Sequence, residues 1–141
     1  MPPIRAHTIA GDPAWITFDS GRPTLIYVFK PECGWCLKNV DSIRALAAAV
    51  SSRYRVIGVS LSSAGLEQYV KEHNLGFEIF RDLEENTQQA YGMGATPQTI
   101  VISQEGRVVK DWLGSYSGPN QALLGTFFGV SLPSVVSKGG S

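Results

Sequence analysis

Apolar positions along the chain fall into two periods, and the places where the period changes divide it into elements. Thr24-Leu25-Ile26-Tyr27-Val28-Phe29 is an unbroken apolar and β-prone run, as expected of a strand covered on both faces. Val40, Ile43, Leu46, Ala47 and Val50 then recur at helical spacing and predict a helix over about residues 34–52. Arg55-Val56-Ile57-Gly58-Val59-Ser60 reads as a second covered strand. Strand, helix and covered strand make a βαβ unit, whose crossover should be right-handed. Leu66, Tyr69 and Val70 mark a further helix, starting at Ser63-Ala64-Gly65 and stopped by Asn74-Leu75-Gly76, with His73 at its end or on its surface. Phe77-Glu78-Ile79-Phe80 is a short alternating strand, and Asp82 is placed to cap a helix running to about Tyr91.

Residues 92–97 read as a loop and Gln98-Thr99-Ile100-Val101-Ile102 as a strand. Ser103-Gln104-Glu105-Gly106 then forms a hairpin turn, from which residues 107–112 return antiparallel. Ser117-Gly118-Pro119 opens a last helix carrying Leu123, Leu124, Phe127 and Phe128. Residues 1–23 are weakly patterned; Trp15, Ile16 and Phe18 are expected to pack onto the sheet, before a turn cluster at Asp19-Ser20-Gly21-Arg22-Pro23. The pattern predicts one α/β domain over residues 1–130 and a flexible tail over 131–141, without repeat or second domain.

Composition narrows the class. Of 141 residues 43% are hydrophobic and 17% charged, which is globular rather than disordered. Twelve basic residues balance twelve acidic ones, so no basic patch points to nucleic acid. No apolar run approaches the ~20 residues that cross a bilayer. Met1-Pro2-Pro3-Ile4-Arg5 lacks the apolar region of a signal peptide, so the expected protein is either cytoplasmic or trimmed of a leader or anchor.

The candidate chemistry lies between the first covered strand and its helix, in Lys30-Pro31-Glu32-Cys33-Gly34-Trp35-Cys36-Leu37-Lys38. A strand that runs into Cys-x-x-Cys, with the motif opening a helix, is the context of a redox dithiol. The thiolate is the attacking species in thiol–disulfide exchange, and unpaired N–H groups at a helix start favour it. Cys33, at or just before the first helical residue, should have a pKa below the free value of about 8.5 and act as nucleophile. Cys36, one turn on and on nearly the same face, can attack a mixed disulfide on Cys33 and resolve it. The alternative of a zinc site lacks ligands: there is no third cysteine, and His7 and His73 are far from the motif in sequence. Nothing in the chain suggests a nucleotide loop or a metal cluster, so no cofactor is predicted.

Strand, Cys-x-x-Cys helix, strand, helix, Thr-Pro loop, hairpin and final helix together resemble the thioredoxin fold: a central mixed β-sheet with helices on both faces. Gly21-Arg22-Pro23-Thr24-Leu25-Ile26, Ala90-Tyr91-Gly92, Thr96-Pro97-Gln98-Thr99 and a helix–strand insert over about residues 61–83, before the Thr-Pro loop, resemble the TlpA/ResA-like thiol–disulfide oxidoreductases. The resemblance implies a cis Pro97 against the dithiol, which turns the backbone of Thr96 towards a partner strand. It implies exchange with protein thiols and disulfides, an upstream redox partner, a monomer, a moderately reducing potential and an extracytoplasmic setting. Trp35 is read as a partly exposed platform for partners, so that Trp35, Thr96 and Pro97 form the substrate-binding set.

The chain departs from its relatives where thioredoxin carries a buried Asp, here Tyr27, and where some ResA-like proteins carry a Glu, here Asn39. No nearby carboxylate is therefore placed to take the proton of Cys36; Glu32 is expected to point to solvent. A peroxiredoxin-like peroxidase would need Pro-x-x-x-Thr-x-x-Cys. Counting back from Cys36 gives Phe29 and Cys33 at the Pro and Thr positions, and from Cys33 gives Ile26 and Lys30, so both registers fail. A non-catalytic copper or haem-maturation module is the other alternative, though a copper site would want Cys-x-x-x-Cys and a nearby His.

Overall fold

The computed structural model describes residues 3–133. Seven strands, β1 (Ile4–Thr8), β2 (Pro13–Ile16), β3 (Thr24–Phe29), β4 (Arg55–Ser60), β5 (Glu78–Arg81), β6 (Gln98–Ile102) and β7 (Val108–Leu113), form one sheet in the order β2-β1-β5-β4-β3-β6-β7. Five helices are interleaved: α1 (Gly34–Lys38), α2 (Val40–Val50), α3 (Leu66–Glu72), α4 (Glu85–Ala90) and α5 (Pro119–Phe128).

β3 is buried at all six positions, as its unbroken apolar run requires. It pairs parallel with β4 and antiparallel with β6, so the strand that feeds the dithiol lies at the sheet's centre. Its alternate side chains enter two cores. Leu25, Tyr27 and Phe29 face the apolar stripes of α2, α3 and α5: Val40, Ile43, Leu46, Leu66, Tyr69, Leu124 and Phe128. Ile26 and Val28 face Ile57, Val59, Ile100, Tyr91 and Met93 on the other side. The expected insert is present as α3 and β5, and β5 adds to β4 in parallel. Gly58 of β4 permits that close packing: a Cβ there would fall 2.7 Å from Ile79 Cδ1 and 3.2 Å from Phe29 Cε1.

Four expectations are corrected. Residues 1–23 contain a β-hairpin, β1 with β2, and β1 also pairs with β5 to extend the sheet. Trp15 does not pack onto the sheet; it is an edge-strand residue, largely exposed beneath the Arg5 guanidinium, whereas Ile16 and Phe18 are buried. The helix expected over 34–52 is two, broken at Asn39, where the side chain has a buried task described below. Asp82 caps nothing: it adopts a left-handed φ of 58°, and Glu84 is the N-cap residue of α4. Of the expected tail, residues 131–133 lie against the domain. Leu132 is buried, and Ser42 Oγ donates to the Pro133 carbonyl at 3.2 Å. Residues 134–141 fall outside the described residues. No helix among the described residues is long and apolar enough to cross a membrane.

Candidate active site

β3 delivers the chain to a tight turn in which the Cys33 N–H donates to the Lys30 carbonyl at 3.1 Å. Cys33 is extended, with φ −79° and ψ 117°, and is the N-cap of α1. Its Sγ occupies the place that a Ser or Asp oxygen takes at other helix starts, and accepts from the Cys36 N–H at 3.1 Å. A sulfur capping a helix is better satisfied as an anion, because the donors face it already. Burial pushes the Cys33 thiol up. The bonds its thiolate accepts from the Cys36 and Thr96 side chains and from the backbone at Cys36 and Trp35 outweigh that, and the pKa is lowered.

Cys36 is the opposite case. It is buried in the α1–α2 face, and burial pushes its thiol up, with the side-chain bond to Cys33 adding to the effect, to about 12. The two sulfurs are thus divided into a partly exposed anion-stabilised site and a buried, protonated one. Both thiols are free.

The second segment of the site arrives from β6. The Thr96–Pro97 peptide is cis, Pro97 is buried, and the Thr96 carbonyl accepts from Cys33 Sγ at 3.4 Å. Gly114 N–H donates to the Pro97 carbonyl at 2.8 Å and ties the loop to the end of β7. Cys33, Cys36, Thr96 and Pro97 are therefore one constellation. Trp35 lies on the outer side of the dithiol turn, 46% exposed, with Lys38 Nζ 4.6 Å from the centre of its ring.

Neutral groups fill the space behind Cys36. Asn39, fully buried at the break between α1 and α2, donates from Nδ2 to Tyr27 Oη at 3.2 Å and accepts at Oδ1 from the Tyr116 N–H at 2.8 Å. Tyr116 Oη and Thr99 Oγ1 share a bond of 2.6 Å. Tyr69 reaches in from the insert, stacked on Phe29. Burial raises the pKa of all three phenols, that of Tyr69 to about 12, with Cys36 and then Cys33 adding to it. Tyr27 and Asn39, the two positions at which the family resemblance would expect acids, thus bond to one another. Glu32 is exposed as expected but tethered: its carboxylate accepts from Ser62 Oγ at 2.7 Å, a bond that lowers its pKa. Among the described residues no three His, Cys, Asp or Glu side chains are grouped to hold a metal.

Tyr116 and Ser62 were not singled out by sequence, and Asn39 and Gln98 entered only through the family resemblance, without the roles found here. Asn39 had a signal: it is a polar amide one turn beyond Cys36, on the buried stripe that continues to Val40 and Ile43. Ser62 and Tyr116 had none, because their partners are 30 and 77 residues distant.

Comparison with known proteins agrees with this geometry. The model of the AhpC/TSA family matches residues 14–111. A thioredoxin-like protein of Haemophilus influenzae is 29% identical over 80% of this chain and 69% of its own length. The methylamine utilization protein MauD of Methylophilus methylotrophus is 24% identical over 77% of this chain, which spans about half (51%) of that protein. A secreted disulfide oxidoreductase of Mycobacterium tuberculosis superposes with a TM-score of 0.70 at 19% identity, covering 89% of this chain and 93% of that one. The seven-stranded architecture is the thioredoxin fold.

Proposed function

The chain belongs to the AhpC/TSA family, and from that premise we propose that it is a thiol–disulfide oxidoreductase exchanging disulfides with partner proteins through Cys33 and Cys36. The observation that carries this reading is the Cys36 N–H aimed at Cys33 Sγ, 3.1 Å away at the start of α1. In the reducing direction the Cys33 thiolate attacks one sulfur of a partner disulfide. The Cys33–partner bond forms as the partner's S–S bond breaks, and the departing partner sulfur takes a proton from solvent. Cys36 then gives up its proton, its sulfur attacks Cys33 Sγ, and the partner's second thiol leaves. Two electrons have passed to the partner, and the Cys33–Cys36 disulfide is returned to the dithiol by an upstream redox partner.

Negative charge on Cys33 is lost in the mixed disulfide, which removes one of the influences holding the Cys36 proton. Resolution is thereby coupled to the first attack. Thr96, Pro97 and Trp35 surround Cys33 and are proposed as the partner-binding edge, with the Thr96 backbone pairing to an extended partner segment. An extracytoplasmic setting fits the secreted structural neighbour, and a monomer of moderately reducing potential belongs to the same proposal. Peroxide reduction is the weaker reading within this family, because neither cysteine is preceded by the Pro-x-x-x-Thr spacing.

The test is Cys36→Ala. It should accumulate mixed disulfides with partner proteins through Cys33, released by dithiothreitol and absent when Cys33→Ser is added. Absence of any adduct, together with failure of the reduced wild type to reduce insulin disulfides, would remove the proposal.

A further inference from the structure

Gln98 follows Pro97 directly and is fully buried on the α4 side of the sheet, opposite α1 and α2. Its carboxamide is used at both ends. Nε2 donates to the Gly92 carbonyl and to Asp111 Oδ1, each at 2.9 Å, and Oε1 accepts from the Gly94 N–H at 3.3 Å. Two of these three bonds go to the backbone of the loop that ends in Thr96–Pro97. The third goes to a carboxylate on the edge strand β7, where Asp111 lies opposite Ile100 of β6. Asp111 also closes on the loop from outside: Gly92 has φ +70°, and a Cβ there would stand 3.6 Å from Asp111 Oδ2. A buried primary amide that forms both donor bonds and an acceptor bond to separate segments fixes their relative position.

We propose that Gln98, held by Asp111, is a positioning residue for partner exchange: it sets the loop of residues 92–97 so that the Thr96 backbone lies beside Cys33 Sγ. The inference rests on the proposed exchange reaction and adds to it a determinant on the far face of the sheet from the sulfurs. The physical logic is that the two halves of the site are held differently. Cys33 is fixed by the helix it caps. Residues 94 and 95 are exposed and Thr96 half-buried, and this stretch is fixed by the amide together with the burial of Tyr91, Met93 and Pro97 on either side of it. A partner segment that must pair with Thr96 while offering its disulfide to Cys33 feels any misplacement between the halves. A small aromatic disulfide, which needs only the thiolate, does not.

The experiment compares Gln98→Ala, Gln98→Met and Asp111→Ala with wild type, using the second-order rates of the reduced protein with insulin and with dithiobisnitrobenzoate. Misplacement of a docking edge is expected to lower the insulin rate about tenfold in both Gln98 variants and less in Asp111→Ala, while the dithiobisnitrobenzoate rate stays within about twofold. Gln98→Met keeps the side-chain volume without the hydrogen bonds, so a normal insulin rate there would show packing alone at work and overturn the proposal. Equal loss of both rates in all three variants would overturn it too. Asp111 is exposed, so its replacement keeps the comparison available if the Gln98 variants do not fold. Amide hydrogen exchange in residues 92–96 should be faster in every variant, and unchanged exchange would contradict the anchoring without reference to activity. A wild type inactive with both disulfides would count against the exchange reaction itself, leaving the hydrogen-exchange result to decide on Gln98.

Discussion

Two segments meet at the Cys33 sulfur, and they are built on different principles. The dithiol turn is local. A sulfur, the helix it caps and the N–H three residues on favour the anion, and all lie within nine residues, 30–38. The Thr96–Pro97 loop is non-local. It meets the sulfur across 63 residues and is kept there by a buried amide on β6, a carboxylate on β7 and the Gly114 N–H beyond it. The first segment decides which sulfur reacts; the second decides what can approach it. A site divided in this way can vary its partners by changing the loop's supports without altering the chemistry of the thiols.

The comparison breaks most severely at the rear of the dithiol turn. Asn39→Ala leaves the Tyr116 N–H and the Tyr27 hydroxyl buried without partners, and should cost about 2–4 kcal/mol of unfolding free energy in chemical denaturation. An unperturbed denaturation midpoint would mean that the helix break between α1 and α2 is held by something else. The next effect is in pH. The folded pKa of Cys36 lies above that of an unfolded thiol, so the folded state keeps a proton that the unfolded chain gives up. Stability from this group is complete below about 8.5 and is lost as pH rises from there towards about 12. Reduced Cys36→Ala should therefore lose less stability than reduced wild type between pH 8 and pH 10, by about 2 kcal/mol, in thermal denaturation. Identical pH profiles would place Cys36 in a more polar setting than its burial indicates. The smallest expected effect sharpens the role of the loop. Thr96→Val removes the hydroxyl that steadies the Cys33 thiolate but keeps the carbonyl, so the Cys33 pKa should rise by a fraction of a unit, read by thiolate absorbance. A fall in that pKa would reverse the sign assigned to Thr96.

The unequal legibility of the two segments has the same origin. The dithiol turn could be read from sequence because each of its parts is a short-range feature: an unbroken apolar strand, Cys-x-x-Cys and an apolar stripe at helical spacing. β3, β4, β6, β7 and α5 were legible for the same reason. The hairpin of β1 and β2 was not. β1 has the alternation of a strand, but His7 and Thr8 weaken it, and its place in the sheet comes from pairing with β5 some seventy residues later. The helix break at Asn39 was hidden because helical periodicity continues through it; only the buried partners Tyr27 and Tyr116 explain why an amide stands there. Asp82 misled because an Asp before a helix commonly caps it, whereas here the chain needs a left-handed residue two positions earlier than the cap. Gln98 sits in a strand otherwise apolar or β-branched, and its partners at 92, 94 and 111 become neighbours only once the loop and the β6–β7 hairpin are formed.

The account depends most on the division of labour between the two sulfurs. It is tested most directly by brief alkylation of the reduced protein with iodoacetamide at neutral pH, with the labelled peptide located by mass spectrometry. Label confined to Cys33, with a rate that rises with pH to a plateau whose midpoint lies below about 8.5, is the predicted result. Label on Cys36 at a comparable rate, or a Cys33 midpoint above that of a free thiol, would contradict it.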